Sequence, residues 1–379
     1  MVSQKSMLFS EEQQLCIDIA SKGHNLAILG QAGTDEISML SANMLSQVEF
    51  ICRTVRDSGR YFGGLQVIAS GDFYQLPPVP NVLNQDQGSF AFQGPVWKEV
   101  FPHKVILMEV VRQSEPFLIQ TIQQAAAGHL TDESVAIIKS LARPLPTPTA
   151  AEKSVKLFSL NHQVDKYNRD CLQELPGELK VYDSEDNGEE KHLKTLKAPK
   201  TLCLKAKCPV MLVRNFSDEL VNGSRGIVEK FEDSAVTVKF ENPSMTVRLT
   251  RTKFSGLNIL IEYQNSSELT KATLLFLVYD PVQKVDIASR LQLPLVPCYA
   301  ITIHKAQGMT LDRVEIDCRG IFKSGQLGVA LGRVKSSEGL RVVNFARRHV
   351  PPQPACLDEF YAVESQNFVE NRTCCRDKE

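Results

Sequence analysis

Paired cysteines are missing from this chain. Its ten cysteines (Cys16, Cys52, Cys171, Cys203, Cys208, Cys298, Cys318, Cys356, Cys374 and Cys375) are scattered, with no C-x-x-C set among them. That pattern argues against a zinc site and, without a secretory leader, against a disulfide framework; it fits the reduced thiols of a cytosolic or nuclear protein. No apolar run approaches the roughly 20 residues of a membrane span, and no charged, apolar leader opens the chain. An excess of charge is missing too: 43 Lys and Arg face 44 Asp and Glu, so nucleic-acid binding must rest on local patches. No internal repeat is visible. What remains is a 379-residue chain, 43% hydrophobic and 23% charged, with room for two domains and a smaller insertion.

Taken in order, the chain alternates helix and strand signals. Ser10 and Gln13 make a capping box for a first helix that Gly23 stops. Leu26–Leu29 is a short buried-strand run leading into Gly30–Thr34. Residues 41–58 read as a helix with Met44, Val48, Ile51 and Val55 on one stripe. A Gly63-Gly64 turn precedes strand Leu65–Ala69, and a third strand, Val105–Met108, runs toward Arg112-Gln113. A helical stretch at 117–128 and the proline-rich linker Arg143–Pro148 close the first domain. The second domain begins with strand Val155–Leu160, with Asn161 placed to cap the next helix. From about residue 203 the texture turns to β, with a hairpin at Val236–Phe240 and Met245–Leu249. Strand-and-loop Tyr299–Gly308, strand Val314–Ile316, helix Gln326–Val334 and strand Leu340–Phe345 complete the second domain. The pattern predicts parallel sheets with helices on both faces. The domain boundaries are 1–130, a linker at 131–150, 151–202 with 296–348, an inserted β-barrel at 203–295, and a frayed tail at 349–379.

Several stretches carry chemistry. A full phosphate-binding loop is Gly, four residues, then Gly-Lys-Ser/Thr. Gly30-Gln31-Ala32-Gly33-Thr34 begins such a loop, and Asp35-Glu36 follows directly as an acidic pair of the kind that holds magnesium. Alone, the first is a glycine turn and the second a solvated pair. Gly71-Asp72 with Gln75-Leu76-Pro77-Pro78 places a carboxylate and an amide at the carboxyl end of a strand, where open α/β sheets bind ligands; a rigid proline turn is the plainer reading. Arg112 is either a phosphate-sensing arginine or a surface ion pair. His304-Lys305 with Gln307-Gly308 is a polar strand end, equally consistent with a solvated loop.

Together, in this order and spacing, these residues resemble the Pif family of superfamily-one DNA helicases, of the RecD-like branch, from about Phe9 to about Phe345. The resemblance implies an α/β fold of two RecA-like parallel-sheet domains, the first truncated, with a small β-barrel inserted in the second. It makes Gln13 the adenine-reading glutamine and Gly30, Gln31, Ala32, Gly33 and Thr34 the first half of the phosphate loop. Asp35 becomes the magnesium ligand, Glu36 the water-activating acid, and Gln75 the γ-phosphate sensor. Arg112 and Arg333 become the arginines reaching the phosphates. Residues 36–64, with Arg53, Arg56 and Phe62-Gly63-Gly64, match the family's own signature. Thr302, His304, Lys305 and Gln307 match the motif that couples the nucleotide cleft to single-stranded DNA; Val221–Gly226 and Arg290 to Gln292 match flanks of the insertion. The implied cofactors are ATP and Mg²⁺, and the implied partner is single-stranded or forked DNA, tracked 5′ to 3′ by a monomer with no membrane association. The implied setting is repair, recombination and telomere maintenance in the nucleus, or alternatively the mitochondrion. Lys194, Lys197, Lys200, Lys205, Lys207 and Arg214 are candidates for local positive charge, or simply solvated side chains.

The match breaks between Thr34 and Asp35. Parallel strands need a crossover of about a dozen residues, and none separates the phosphate loop from the acidic pair. Counted from Gly30, Asp35 falls where the loop has Gly, Glu36 where it has Lys, and Ile37 where it has Ser/Thr. With loop geometry kept, an attraction of ~4 kcal/mol at ~4 Å becomes an equal repulsion, a swing of about 8 kcal/mol. The helix N-terminus that would bind phosphate is lost with it. The chain therefore reads as a deletion form with ATP hydrolysis lost and a first domain short of core. Its alternatives are a non-catalytic single-stranded-DNA-binding protein or an inactive fragment.

Overall fold

The computed structural model describes residues 10–30, 37–81, 85–146, 154–194, 196–232, 234–241, 243–255, 279–280, 285–286 and 288–370. Gln31, Ala32, Gly33, Thr34, Asp35 and Glu36 lie outside these described residues. Two compact units are present, residues 1–161 with 301–379, and residues 162–300.

The first unit opens with α1 (Glu11–Ser21), whose capping box forms as the sequence predicts. Gln13 N donates to Ser10 Oγ at 3.3 Å and Ser10 N to Gln13 Oε1 at 3.1 Å. Next come β1 (Leu26–Gly30), α2 (Ala42–Val55), β2 (Ile68–Gly71), α3 (Pro95–Val100) and β3 (His103–Leu107). The three strands pair in parallel in the order β2-β1-β3. Leu26, Ala27 and Leu29 of the central strand are fully buried; each such leucine is worth roughly 1.5–3 kcal/mol, enough to hold so short a strand at the centre. Among the described residues α2 lies between β1 and β2 in the chain, and the two strands pair directly, Leu29 opposite Gly71.

The stripe predicted for α2 is rotated. Leu45, Val48, Glu49 and Cys52 are buried, while Val55 is left 65% exposed. Its cause is polar. Glu49 accepts from Phe62 N at 3.3 Å and pairs with Arg53 at 3.2 Å, and Arg56 Nε donates to the Gly63 carbonyl at 2.7 Å. A buried acid thus docks the Tyr61–Gly64 turn on the helix, and apolar periodicity alone does not register it. After β3 come α4 (Pro116–Ala127), α5 (Asp132–Ser140), β4 (Val155–Phe158) and α6 (Asn161–Glu174), which begins at Asn161 itself.

In the second unit, strands begin at Lys180 rather than near 203, so β structure starts ahead of the expected insertion. They are β5 (Lys180–Asp183), β6 (Glu185–Gly188), then after α7 (Glu190–Leu193) β7 (Thr201–Leu204), β8 (Pro209–Leu212), β9 (Arg225–Glu232), β10 (Ala235–Phe240), β11 (Met245–Thr250), β12 (Thr252–Ser255), β13 (Tyr279–Asp280), β14 (Val285–Asp286), β15 (Ala288–Gln292) and β16 (Leu295–Pro297). The hairpin falls where the sequence places it, with Phe240 opposite Met245. Among the described residues the pairing runs as open sheets, β11-β10-β9-β8-β16 and β12-β15-β6 the larger two, rather than as a closed ring. Val210, Leu212, Val236, Val238 and Leu249 form the core.

Two residues matched to flanks of the insertion hold it together. Arg290, buried, grips Asp186 through Nε and Nη2 at 2.7 Å each and donates to the Ala198 carbonyl at 2.7 Å. Fully buried Gln292 donates to the Tyr182 carbonyl at 2.8 Å. Arg290→Ala leaves these acceptors unpaired and is expected to cost this unit about 3 kcal/mol in chemical denaturation. The Arg290 hydrogen bonds hold the Asp186 carboxyl down at about 2, from the usual 3.8. A depressed carboxylate stabilises the fold above its unfolded pKa, so melting of this unit should hold to about pH 4 and fall between about 4 and 2. Asp186→Asn should lack that acid step.

The chain returns to the first unit with β17 (Ala300–Thr302), α8 (Ile303–Ala306), β18 (Val314–Asp317), α9 (Gln326–Leu331), β19 (Leu340–Val343) and α10 (Ala355–Glu370). A second sheet has the order β17-β4-β18-β19, with β18 parallel to both neighbours. The sequence assigns the two sheets to separate domains, yet both belong to this one compact unit. Small residues explain the closeness: a Cβ on Gly328 of α9 would sit 2.6 Å from Ala126 Cα in α4. The expected frayed tail is corrected as well. Over residues 355–370 it is the helix α10, packed on β3, with Leu357 fully buried and Glu364 3.5 Å from Lys104.

Candidate functional site

Gly30 and the Asp72–Gln75 loop lie at the carboxyl ends of the first sheet, where such sheets bind ligands. Gly30 ends the central strand. Gly71 ends its neighbour and admits a close contact, since a Cβ there would lie 2.4 Å from Ile37 Cγ2. Ser38, fully buried beside it, accepts a hydrogen bond from Gln307 Nε2 at 3.3 Å.

The loop after β2 is a knot around Asp72, which is 3% exposed. Tyr74 N donates to its Oδ1 at 3.0 Å, Tyr361 OH to the same oxygen at 3.2 Å, and Gln75 N to its carbonyl at 3.0 Å. The Tyr361 hydroxyl in turn accepts from Phe73 N at 3.0 Å. Burial pushes the Tyr361 phenol well above its usual range, so it stays a donor to Asp72. Gln75 is buried; its Nε2 reaches Asp72 Oδ2 at 3.5 Å and its Oε1 has no partner among the described residues. A buried carbonyl oxygen left unsatisfied costs about 1–3 kcal/mol, as expected of a group held for a ligand or a second conformation.

Arg112, Gln113 and Arg333 converge on the end of α9. Arg112 donates from Nε to Thr310 Oγ1 at 3.1 Å and from Nη1 to the Gly332 carbonyl at 3.0 Å. Gln113 Nε2 donates to the carbonyls of Gly332 at 3.2 Å and Val334 at 2.6 Å. Arg333, 1% exposed, donates from Nε to the Val329 carbonyl at 2.9 Å. A cavity of about 220 Å³ is lined by Asp72, Gln75, Gln113, Ile122, Val329 and Arg333, among others. Gln75 and Arg333, both matched by the resemblance to phosphate-reaching residues, line one cavity, with Gln113 as a third polar group.

The DNA-motif residues have divided roles. Thr302 caps α8, accepting from Lys305 N at 3.3 Å, and Gln307 ties the loop to Ser38. His304 is half-buried, and burial followed by the charge of Lys323 lowers its pKa, keeping it neutral at pH 7. Lys305 is exposed. Gln13, matched to an adenine reader, spends its side-chain oxygen on the α1 cap. In the second unit, Lys205 is buried and donates to the carbonyls of Gln173 at 3.2 Å and Leu175 at 2.6 Å, so it adds nothing to a surface patch. Lys194 pairs with Glu190 at 3.1 Å and Arg214 donates to the Lys253 carbonyl at 2.8 Å, leaving that expected cluster weaker than counted.

Among the described residues, which leave out Gln31 to Glu36, no full site for ATP and Mg²⁺ is assembled. The cavity that holds Gln75 and Arg333 has mainly apolar and amide walls, and no lysine, serine or threonine among the described residues lines it. Arg333 is turned onto a backbone carbonyl, and among the described residues no group of three or more His, Cys, Asp or Glu could hold a metal ion.

Sequence reasoning missed Phe360 and Tyr361. Their signal was present in Leu357, Phe360, Tyr361 and Glu364, spaced i, i+3, i+4, i+7 as one face of a helix.

Residues 7–129 match the family model for PIF1-like helicase, and residues 193–231 that for the 2B domain of DNA helicase Pif1. The ATP-dependent DNA helicase PIF1 of Emericella nidulans is 33% identical over 378 residues, covering 89% of this chain and 50% of that protein. The chain spans about half the length of the curated relatives it matches. The crystal structure of Bacteroides Pif1 bound to ssDNA matches at a TM-score of 0.70 and 27% identity, over 97% of this chain and 81% of that one. A structure described as DNA unwinding at forked dsDNA by two coordinating Pif1 helicases matches in fold, at a TM-score of 0.73 and 23% identity over 95% and 98% of the two chains. The α/β fold with parallel sheets is therefore that of Pif1 helicases.

Proposed function

This chain belongs to the PIF1-like helicase family, and on that premise we propose that it is, by descent, an ATP-dependent 5′–3′ DNA helicase whose own ATP turnover is lost, leaving nucleotide-independent binding of single-stranded DNA as its activity. The family setting would be DNA repair, recombination and telomere maintenance, in the nucleus or the mitochondrion. One observation carries the loss: Asp35, Glu36 and Ile37 stand where the phosphate loop needs Gly, Lys and Ser/Thr. Phosphoryl transfer rests on positioning and charge neutralisation, and Gln75, Arg112 and Arg333 would supply only the γ-phosphate side of that arrangement. Support for retained DNA binding comes from the matched relative described as bound to ssDNA and from exposed Lys305 on the Thr302–Gln307 segment.

Fluorescence anisotropy with a labelled oligonucleotide and no nucleotide tests this reading. Binding should weaken with salt, log K falling against log salt by about 0.7 for each phosphate contacted. Lys305→Gln should make that slope shallower by about one contact. A chain that fails to bind single-stranded DNA at low salt would be the inactive fragment instead.

A further inference from the structure

The first sheet ends on one side at β2, which among the described residues pairs with β1 alone. Leu26 N donates to the Val67 carbonyl at 3.0 Å, so Val67, Ala69 and Gly71 turn their backbone groups toward β1. Ile68 and Ser70, between them, direct N–H and C=O away from the sheet, and no described strand takes them. Side chains alternate as well. Ala69 and Gly71 share one face, where Ile37 and Ser38 lie against Gly71. Ile68 and Ser70 share the other, and Ile68 is left 51% exposed. Strands of parallel sheets are ordinarily covered on both faces, so a half-exposed isoleucine marks a bare one.

Nothing in the strand guards this edge. Natural edges are blunted by lysine, proline, bulges or a covering element. Leu65-Gln66-Val67-Ile68-Ala69-Ser70-Gly71 has no charge and no proline. Its register on β1 is unbroken, from Leu26 opposite Ile68 to Leu29 opposite Gly71, so no bulge twists it away. The far strand of the same sheet is built differently. There β3 carries His103 and Lys104, Lys104 meets Glu364 at 3.5 Å, and α1 and α10 pack on it.

We propose that β2 is a self-association edge, at which two copies of this chain join by antiparallel pairing of their β2 strands about a two-fold axis at Ala69. The two-fold sets Ile68 opposite Ser70 of the second copy, and Ser70 opposite its Ile68. Each outward N–H and C=O of these residues then meets its complement. The two bare Ile68 side chains come to lie diagonally across the junction, within mutual reach. Charge favours this occupant, because a chain with 43 Lys and Arg against 44 Asp and Glu repels its own copy only weakly. An unrelated extended peptide could satisfy the same backbone groups, but the uncharged strand has nothing to select it. A second copy is self-complementary by symmetry. The contact is small and belongs with weak, transient interfaces, so the dimer forms only on concentration, in place of the monomer that the resemblance implies. Neither DNA binding nor ATP turnover enters into it.

Sedimentation velocity of the full chain, without DNA or nucleotide, compares wild type with Ile68→Lys, Ile68→Glu and Ser70→Pro through the micromolar range. Wild type should pass from the mass of one chain toward that of two as concentration rises. Ser70→Pro removes an outward donor from each copy and should weaken association roughly 5- to 150-fold. Ile68→Lys sets like charges across the junction and should abolish association, as should Ile68→Glu. An equimolar mixture of the two should associate again, because opposite charges then meet on the diagonal. Ile68 is exposed and the Ser70 N–H faces away from β1, so thermal melts of the variants should match wild type. Where proline lowers the melt, the Lys and Glu variants decide alone. A wild type that keeps the mass of one chain throughout overturns the proposal. So do variants that associate like wild type, a Lys and Glu mixture that stays apart, or a mass that grows past two copies.

Discussion

ATP hydrolysis by this chain, measured at steady state with saturating single-stranded DNA, is expected at about 0.01 s⁻¹ or lower, against the ~10 s⁻¹ of a typical enzyme. The estimate follows from charge. Replacing a phosphate-gripping lysine by a glutamate turns ~4 kcal/mol of attraction into equal repulsion at an effective dielectric of ~20. Realising only half of that 8 kcal/mol swing still costs about a thousandfold. The proposed loss is compound, because Thr34 and Asp35 are adjacent in sequence and leave no residues for the helix whose N-terminal amides would cradle phosphate. Glu36→Lys alone is therefore not expected to restore turnover. Inserting the corresponding segment of an intact relative, phosphate loop, helix and following strand together, should restore both nucleotide binding by calorimetry and unwinding of a forked duplex. DNA-stimulated turnover near 1 s⁻¹ from the unaltered chain would overturn the assignment, and Gln75, Arg112 and Arg333 would then need a lysine from elsewhere.

Local chemistry was legible in the sequence; long-range polar contacts were not. The Ser10–Gln13 capping box, the Phe240–Met245 hairpin and the parallel strands at Leu26, Ile68 and Val105 each rest on neighbours within a few residues, or on a buried apolar run, and each appears. The face of α2 was misread because Glu49 is buried for the sake of a turn 13 residues away. Lys205 was counted as surface charge because nothing in its neighbourhood announces the two carbonyls, 30 and 32 residues distant, that take its ammonium. Gln113 was named only as the neighbour of Arg112, because its partners lie 219 and 221 residues on. The same limit hid the partnership of the Asp72 loop with the C-terminal helix, separated by 289 residues.

Substitution of Phe360 by alanine is expected to destabilise the first unit by about 3–4 kcal/mol, the usual cost of removing a large ring from packed aromatics. A frayed tail would predict no effect. Phe360 stacks on Phe92 with ring centroids 4.2 Å apart, meets Phe73 edge-on at 5.5 Å and lies 6.2 Å from Trp97. Phe73 and Trp97 are themselves at most 1% exposed, so the vacated space lies against the core rather than in solvent. At about 2–4 °C per kcal/mol for a unit of this size, the melting temperature should fall by roughly 6–16 °C. Tyr361→Phe isolates the polar part of the contact. It keeps the ring, stacked on Tyr74 at 4.7 Å, and removes the hydroxyl that donates to Asp72 and accepts from Phe73 N. The expected loss is smaller, about 1–3 kcal/mol, because Tyr74 N and the Gln75 amide still serve Asp72. Its pH dependence has a definite sign. Burial raises the folded phenol above its ordinary 10.0, so the contribution is whole below pH 10 and is lost as pH rises beyond it. Wild type should therefore lose more stability than Tyr361→Phe between pH 10 and 11. Melts of both variants that coincide with wild type at every pH would return residues 355–370 to the role of an unanchored tail.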